Sequence, residues 1–269
     1  MIKVNNIVVQ PEKFPDGTFL FNKNNTDLLN ENMAKILWRF ENNEELVTII
    51  FLTKYLRSNG ISQIQLNMPY IPNARQDRIK TNNDVFTLKY FADVINWLEF
   101  DCVKVFDPHS SVSEALINNI EVNTGEEFIK DLLSVLPTIP IIYYPDSGAY
   151  KKYNDFVKLP SCYGVKNRDW KNGKILGLDV ITHGVDIKNK TILMIDDIIS
   201  YGGSMYYGAK KLKELGCGDI YIYASHVENS ILEGDLIKSG LFKLICTTDS
   251  IFTEKHELIH TEKIEDILR

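Results

Sequence analysis

The chain has 269 residues, of which 44% are hydrophobic and 25% are charged, a balance that is ordinary for a globular protein. Its formal net charge of −6 argues against bulk nucleic-acid binding, because proteins of that class present a basic face. The first residues lack the apolar core of a signal peptide, and no apolar run is long enough to span a membrane. Four widely spaced cysteines without a CxxC pair predict reduced thiols in a cytoplasmic protein.

Strand-like and helix-like segments alternate along the first half of the chain. Strands are predicted over residues 34–40, 61–68 and 102–106. Helices are predicted over residues 44–58 and again after Asn83 or Asp84, either of which is a suitable N-cap. A polar stretch over residues 72–83 lies between the second strand and the second helix.

The alternation continues in the second half. Strands are predicted over residues 139–144, 191–195, 219–224 and 242–246, and helices over 126–136 and 204–215. Residues 159–174 are predicted to be irregular. This order predicts an α/β fold of mainly parallel sheets flanked by helices. The polar stretch over residues 118–125 predicts a boundary between two similar domains, residues 1–122 and 123–269.

Three polar clusters follow predicted strands, where ligands bind in parallel sheets. They are Asp107-Pro108-His109, Asp146-Ser147-Gly148 and Asp196-Asp197. The last cluster is followed by a loop with Gly202 and Gly203. Carboxylates there can bind ribose hydroxyls or Mg²⁺, and loop amides can bind a phosphate. The pattern predicts a site for a phosphorylated sugar, with a βα turn and acidic cap as the structural alternative.

The loop resembles the phosphoribosyl-diphosphate loop of type I phosphoribosyltransferases and ribose-phosphate diphosphokinases. The matching positions are Asp196, Asp197, Gly202, Gly203 and Ser204. The loop departs at Ser200, where diphosphokinases often have Asp, and at Tyr201, where Thr is usual. The resemblance implies that the two acids bind ribose hydroxyls and that residues 200–204 bind the 5′-phosphate. The two departures leave the 5′ substituent open.

A second segment separates these two families. Residues 68–78 (MPYIPNARQDR) closely resemble the Pro-Tyr-x-x-x-Ala-Arg-Gln-Asp-Arg segment of ribose-phosphate diphosphokinases, which ordinary phosphoribosyltransferases lack. Arg75 offers a planar fork for ATP phosphates, and Gln76 and Asp77 can position polar groups. The segment therefore indicates an ATP site, whereas any three of its residues alone fit a solvated charged loop.

Two of the polar clusters also match the diphosphokinases. Residues 102–109 are similar to the family's strand that ends in Asp-Leu-His, which implies that His109 lies beside the metal and the ATP phosphates. A capped turn histidine is the structural alternative. Residues 144–148 resemble the family's Pro-Asp-x-Gly segment, which implies that Asp146 holds metal or ribose.

Two further segments match in family order. Residues 14–18 (FPDGT) resemble Phe-Ser-Asp-Gly-Glu, which in the family contacts the adenine of a neighbouring subunit and so assigns Phe14 and Asp16 to ATP binding. Lys166-Asn167-Arg168 lies where diphosphokinases carry a mobile Lys-x-Arg loop. Diphosphoryl transfer needs cations around the β-phosphorus, so the resemblance implies that Lys166 and Arg168 are catalytic. A solvated basic loop is the alternative.

The resemblance covers roughly residues 14–226 and implies an enzyme built from two tandem phosphoribosyltransferase-like domains. We expect it to transfer the β,γ-diphosphate of Mg-ATP to the anomeric hydroxyl of a 5-phosphorylated ribose, releasing AMP, in nucleotide or NAD metabolism. Ribose 5-phosphate is the family's usual acceptor, and Ser200 and Tyr201 also allow a bulkier one such as ADP-ribose.

Two alternatives stay open at this stage. The first is a phosphoribosyltransferase that consumes phosphoribosyl diphosphate. The second is a non-catalytic, diphosphokinase-like regulatory subunit. The resemblance also implies a homo-oligomer, either a dimer or a hexamer, without nucleic-acid or membrane partners.

Overall fold

A computed structural model describes residues 1–22, 32–168, 175–265 and 268. Contacts between Cα atoms divide the chain into two compact units: Met1–Asn123 with Ile264–Arg269, and Thr124–Lys263. Each unit is an α/β sheet whose strands are mostly parallel, which confirms the predicted fold class. Within the described ranges, no helix combines the length and apolar character needed to cross a bilayer.

The first unit is built on a six-stranded sheet. Its strands are β1 (Ile2–Val4), β2 (Ile7–Val9), β5 (Met33–Trp38), β6 (Gln63–Met68), β7 (Cys102–Phe106) and β8 (Ile120–Asn123), in the order β2-β1-β5-β6-β7-β8. Strands β5 to β8 are parallel, and β1 pairs antiparallel with both neighbours. A separate hairpin joins β3 (Glu12–Lys13) and β4 (Phe19–Leu20). The helices are α1 (Glu44–Ser58), α2 (Thr87–Trp97) and α3 (Val112–Leu116).

Helix α1 shows why the first sheet holds together. Ile49, Leu52 and Leu56 recur at three- and four-residue spacing and are buried on one face of the helix. They belong to the same core cluster as Ile36 of β5 and Leu66 of β6. This packing holds β6, whose C-terminal end leads into the predicted nucleotide segment.

The second unit has a seven-stranded sheet. Its strands are β9 (Ile141–Tyr144), β10 (Ser161–Arg168), β11 (Ile175–Ile181), β12 (Ile192–Ile199), β13 (Ile220–Val227), β14 (Leu244–Thr248) and β15 (Ile259–Glu262), in the order β11-β10-β9-β12-β13-β14-β15. All neighbouring strands are parallel except β10 and β11. The helices are α4 (Glu126–Val135), α5 (Ser147–Tyr153), α6 (Gly203–Glu214) and α7 (Asp235–Lys238), with a 3₁₀ helix over Asn229–Glu233.

Several predicted element boundaries differ from the structure, and three of them concern segments that carry or adjoin predicted site residues. The strand predicted over 191–195 continues to Ile199, because β13 pairs with it through Ile199↔Val227. Residues 161–168 and 175–181 form a hairpin where irregular chain was predicted, and residues 169–174 lie outside the described part. Helix α2 begins at Thr87, because Asp84 Oδ2 accepts hydrogen bonds from the preceding Lys80 and Thr81 amides (2.8 and 2.7 Å) instead of capping the helix.

The end of the chain departs from the predicted domain of residues 123–269. Residues Ile264–Arg269 group with the first unit. Glu265 forms ion pairs with Lys3 (2.7 Å) and Arg39 (3.0 Å), and the Asn67 amide donates a hydrogen bond to the Leu268 carbonyl (2.8 Å). Because the Leu268 side chain is also buried, apolar and ionic contacts together hold this segment on the first unit.

Candidate functional site

The acid pair lies inside strand β12, beyond its last paired residue with β9. Met194 is the last residue of β12 that pairs with β9, whereas Asp196 pairs with Ala224 of β13. Successive side chains of a strand point to opposite faces, so Asp196 and Asp197 lie on different faces of the sheet. The Asp197 amide also donates to Asp196 Oδ1 (3.0 Å). Two successive carboxylates are thus held near the C-terminal edge of the sheet, one on each face.

Burial raises the pKa of one member of the acid pair. Asp197 is only 7% exposed, and Lys152 Nζ of α5 lies 3.4 Å from its Oδ2. Burial, reinforced by the negative charges of Asp197 and Asp146, raises the pKa of Asp196 well above its usual range, and the Lys152 charge opposes this shift. Asp196 is therefore an acid that gains a proton more readily than an ordinary aspartate does.

Asp146 is held at the start of helix α5. Its Oδ1 accepts hydrogen bonds from the Gly148 and Ala149 amides at 2.9 and 3.2 Å, so the carboxylate acts as an N-cap. The same helix carries Lys152, which sequence reasoning did not identify. The sequence signal was present as an acid cap followed by basic residues near a helix end, but α5 itself was not predicted.

The glycine loop closes onto the turn before helix α7. Gly202 has a φ of +79° and forms the N-cap of the 12-residue helix α6. A Cβ on Gly202 would lie 2.5 Å from Leu236 Cδ1, and one on Gly234 would lie 2.0 Å from the Tyr201 carbonyl oxygen. A Cβ on Gly203 would meet no atom within 4 Å. The loop is therefore rigid on one side and open at Gly203, beside the amides of the helix N-terminus.

Helix α6 holds this loop through the core. Met205, Ala209 and Leu212 are buried at helical spacing and share a core cluster with Met194 of β12 and Ile222 of β13. The strand that carries the acids and the helix that follows the loop are thus packed on each other. Ser204 is the second residue of the helix.

The two unusual loop residues have different environments. Ser200 Oγ lies 3.1 Å from Ser230 Oγ, which donates to Glu228 Oε2 at 3.2 Å. The Tyr201 side chain is 58% exposed. The loop therefore presents a hydroxyl linked to a carboxylate and, next to it, an aromatic surface open to solvent.

In the first unit, Asp77 connects residues 75–78 with the loop that carries His109 and Ser110. Arg78 donates to Asp77 through Nε and Nη2, both at 2.6 Å, and Ser110 Oγ donates to Asp77 Oδ2 at 2.7 Å. The Arg78 hydrogen bond is the largest of the interactions that lower the pKa of Asp77 to about 2, and the charge of His109 adds to them. The structure therefore brings the 75–78 segment to the loop after β7, and Ser110 is a contact that sequence reasoning missed.

The other predicted nucleotide-side residues line exposed parts of the same unit. Arg75, Gln76 and His109 are exposed. Gln76 Oε1 accepts a hydrogen bond from Thr87 Oγ1 at 2.8 Å, which ties the segment to the start of α2. The loop before His109 begins at buried Asp107, whose φ is +43°. A non-glycine residue in this region carries backbone strain, which is often found at ligand sites.

Phe14 and Asp16 occupy the tip of the β3–β4 hairpin. Asp16 Oδ1 accepts hydrogen bonds from the Thr18 amide (3.0 Å) and hydroxyl (2.7 Å), and these bonds lower the pKa of Asp16. Phe14 is 47% exposed. Asp16 therefore stabilises the turn, while the Phe14 ring is available for contact.

Lys166 and Arg168 lie on strand β10, near the end of the β10–β11 hairpin. Their backbones pair with Leu178 and Ile175, and the register shifts between Asn167 and Arg168. The structure thus places both predicted catalytic residues on one antiparallel hairpin. Among all the described residues, no group of three or more His, Cys, Asp and Glu side chains is arranged to hold a metal ion.

Comparison with protein-family models gives no match. The chain is 26% identical over 228 residues to a ribose-phosphate pyrophosphokinase of Thermococcus kodakarensis, which covers 81% of this chain and 77% of that protein. It is 28% identical over 236 residues to ribose-phosphate pyrophosphokinase 1 of Lactococcus lactis, with 82% and 69% covered. Its fold is similar to the crystal structure of phosphoribosylpyrophosphate synthetase from Mycobacterium smegmatis, with a TM-score of 0.79 and 17% identity over 98% of this chain and 89% of that one.

Proposed function

Because this chain belongs to the ribose-phosphate pyrophosphokinase family of enzymes, we propose that it transfers the β,γ-diphosphate of Mg-ATP to a 5-phosphorylated ribose. The observation that carries this proposal is the Asp196–Asp197 pair on β12, followed directly by the glycine loop that opens α6. In the reaction, the anomeric oxygen attacks the β-phosphorus, its proton is released, and the bond between the β-phosphorus and the α–β bridging oxygen breaks to free AMP.

The second unit supplies the ribose side. Asp196 and Asp197 are acceptors for ribose hydroxyls, and two hydroxyl donors would compensate the negative charge that burial makes unfavourable. The open space at Gly203 lies beside the N-terminus of α6, where backbone amides and the helix dipole favour a phosphate. Together these groups hold both ends of a phosphorylated sugar.

The first unit supplies the nucleotide side. Arg75, Gln76 and His109 are exposed and lie on segments joined through Asp77 and Ser110. Arg75 would bind triphosphate oxygens through its planar fork, and Phe14 would contact the adenine ring. When bound, Mg²⁺ neutralises part of the triphosphate charge. The resemblance assigns His109 and Asp146 to the Mg²⁺ ion. Of the two, Asp146 suits the ion better, because Mg²⁺ prefers oxygen ligands to nitrogen.

Catalysis then depends mainly on positioning and charge. Lys166 and Arg168 would stabilise the negative charge of the transferring diphosphoryl group. No covalent intermediate is required, because holding donor and acceptor in line supplies much of the rate enhancement.

The acceptor is either ribose 5-phosphate or a larger molecule such as ADP-ribose. The second option is supported by Tyr201, whose exposed ring offers a stacking surface for a group beyond the 5′-phosphate, and by Ser200, whose hydroxyl is already bonded to Ser230. An ADP-ribose acceptor would place the enzyme in NAD metabolism. A homo-oligomeric assembly is also part of this proposal, and a mass measurement in solution tests it.

The test is AMP formation from Mg-ATP with each acceptor in turn. We expect turnover with at least one of them, and Asp197→Asn is expected to lower kcat/KM by about 100-fold because a buried acceptor for substrate is lost. The matched control is Asp131→Asn, which removes an exposed carboxylate of α4 and should leave the rate unchanged. Mg-ATP binding without AMP release would favour a regulatory subunit, and turnover of phosphoribosyl diphosphate with a base would favour a phosphoribosyltransferase.

A further inference from the structure

Lys152 is a cation placed by helix α5 against the acid pair. Its Nζ lies 3.4 Å from Asp197 Oδ2, and the two side chains are 26% and 10% exposed. Most surface ion pairs join flexible, solvated side chains and contribute little. This pair is different because the carboxylate is almost entirely removed from water.

The helix that carries Lys152 is anchored at both ends. Asp146 caps its N-terminus through two amide hydrogen bonds, and Tyr153, the residue after Lys152, is fully buried in the core. Lys152 Nζ also lies 5.4 Å from the centroid of the Tyr153 ring, within the range of a cation–π contact. The ammonium group is therefore held near Asp197 by a fixed backbone and a fixed ring.

Lys152 opposes the negative charge of this cluster. The charges of Asp197 and Asp146 both act on Asp196, while Lys152 acts on Asp196 and forms an ion pair with Asp197. Without Lys152, repulsion from the adjacent Asp196 would favour rotation of the Asp197 carboxylate away from its present position. Such a rotation would misdirect an acceptor for a ribose hydroxyl.

We propose that Lys152 is a positioning residue of the ribose site, which holds Asp197 Oδ2 through its ion pair and so fixes the orientation of that carboxylate towards a ribose hydroxyl. This inference rests on the proposed function, since it assigns the sugar to the acid pair. It adds a role to a residue on α5 that lies outside both the glycine loop and the β10–β11 hairpin.

The test is calorimetric binding of ribose 5-phosphate, ADP-ribose and Mg-ATP to the full chain and its variants. Lys152→Met is expected to weaken binding of the acceptor by tenfold to a hundredfold, because a buried carboxylate loses the cation of this ion pair, while Mg-ATP binding changes by less than about twofold. Lys152→Arg keeps the charge and should recover acceptor binding to within about threefold. Lys151→Met is the matched control, because Lys151 is the exposed neighbour on the same helix.

A double variant shows whether Lys152 acts through Asp197. In an Asp197→Asn background, Lys152→Met should have little further effect on acceptor binding, since the carboxylate it positions is gone. Three results would each overturn the inference. The first is an equal effect of Lys151→Met and Lys152→Met, and the second is a loss of affinity for both the acceptor and Mg-ATP together with a lower melting temperature. The third is an undiminished effect of Lys152→Met in the double variant. If the unaltered chain binds neither acceptor, the proposed function fails and the role of Lys152 fails with it; normal acceptor binding by Lys152→Met removes the inference alone.

Discussion

Replacing Gly202 by alanine should destabilise the second unit, whereas the same change at Gly203 should not. At Gly202 the φ of +79° is unfavourable for an L-residue by about 1 kcal/mol. The new Cβ would also lie 2.5 Å from Leu236 Cδ1 and 2.9 Å from Leu236 Cβ, and relief of such overpacking typically costs about 1–3 kcal/mol. We therefore expect Gly202→Ala to lower the free energy of unfolding by about 2–4 kcal/mol.

Gly203 is the matched control for this prediction. Its Cβ would meet open space, and it is the first residue of α6, where alanine is a better helix former than glycine by up to about 1 kcal/mol. Gly203→Ala is thus expected to leave the free energy of unfolding unchanged or slightly raised. It should nevertheless weaken acceptor binding, because the methyl group would occupy the space proposed for the phosphate.

Urea unfolding followed by far-UV circular dichroism measures both effects, and acceptor binding to the folded variants separates stability from function. A further check is Leu236→Ala. This change is destabilising by itself because Leu236 is fully buried, but in the Gly202→Ala background it should cost less, since it also removes the overpacked atoms. The reasoning would be refuted if Gly202→Ala were as stable as the unaltered chain, or if the two glycine variants behaved alike.

Three further predictions concern other parts of the molecule. Arg78 and Ser110 lower the pKa of Asp77 below its unfolded value, so the stabilisation of about 1 kcal/mol that Asp77 provides is present above pH 4 and is lost as the pH falls towards 2. The free energies of unfolding of the unaltered chain and of Asp77→Asn, measured by urea titration, should therefore converge in acid. Glu265→Gln should lower the free energy of unfolding by about 1 kcal/mol in the same assay, less at high salt, since Glu265 pairs with Lys3 and Arg39. Replacing both Lys166 and Arg168 by alanine should lower kcat by at least about 100-fold in steady-state kinetics while acceptor binding persists, because their proposed action is on the transferring group.

The elements predicted best from the sequence are those whose apolar residues recur at a regular local spacing. Helix α1 and strand β7 have the predicted bounds, because their apolar residues repeat at the spacing of a helix and a strand. The parallel sheets also follow from the alternation of elements. The hairpin of β10 and β11 was missed, because its polar residues resemble a loop and its stability comes from pairing with β9 and between the two strands.

The candidate site was only partly predictable for a similar reason. The acid pair and the glycine loop are adjacent in sequence and carry a recognisable pattern. By contrast, the contact of Lys152 with Asp197 joins residues 45 positions apart, and that of Ser110 with Asp77 joins residues 33 apart. Such contacts depend on the packing of α5 against β12 and on the arrangement of the loops that follow β6 and β7. Local sequence patterns do not predict either arrangement.

In the strand that carries the acids, pairing with a neighbouring strand makes the observed strand end later than the predicted one. Two carboxylates are poor strand formers, so a strand ending at Ile195 was the natural prediction. In the structure, β13 continues beside β12 through Ile199, and the acids are held in extended backbone. Extended backbone fixes their side chains on opposite faces more firmly than a loop would.

The most direct test of the central claim is to follow ATP labelled at the β-phosphate in the presence of Mg²⁺ and each acceptor. We predict that the label moves to the sugar product together with the γ-phosphate, that unlabelled AMP appears in equal amount, and that Asp197→Asn suppresses both. Formation of labelled ADP, or retention of the label in ATP with every acceptor, would contradict the account.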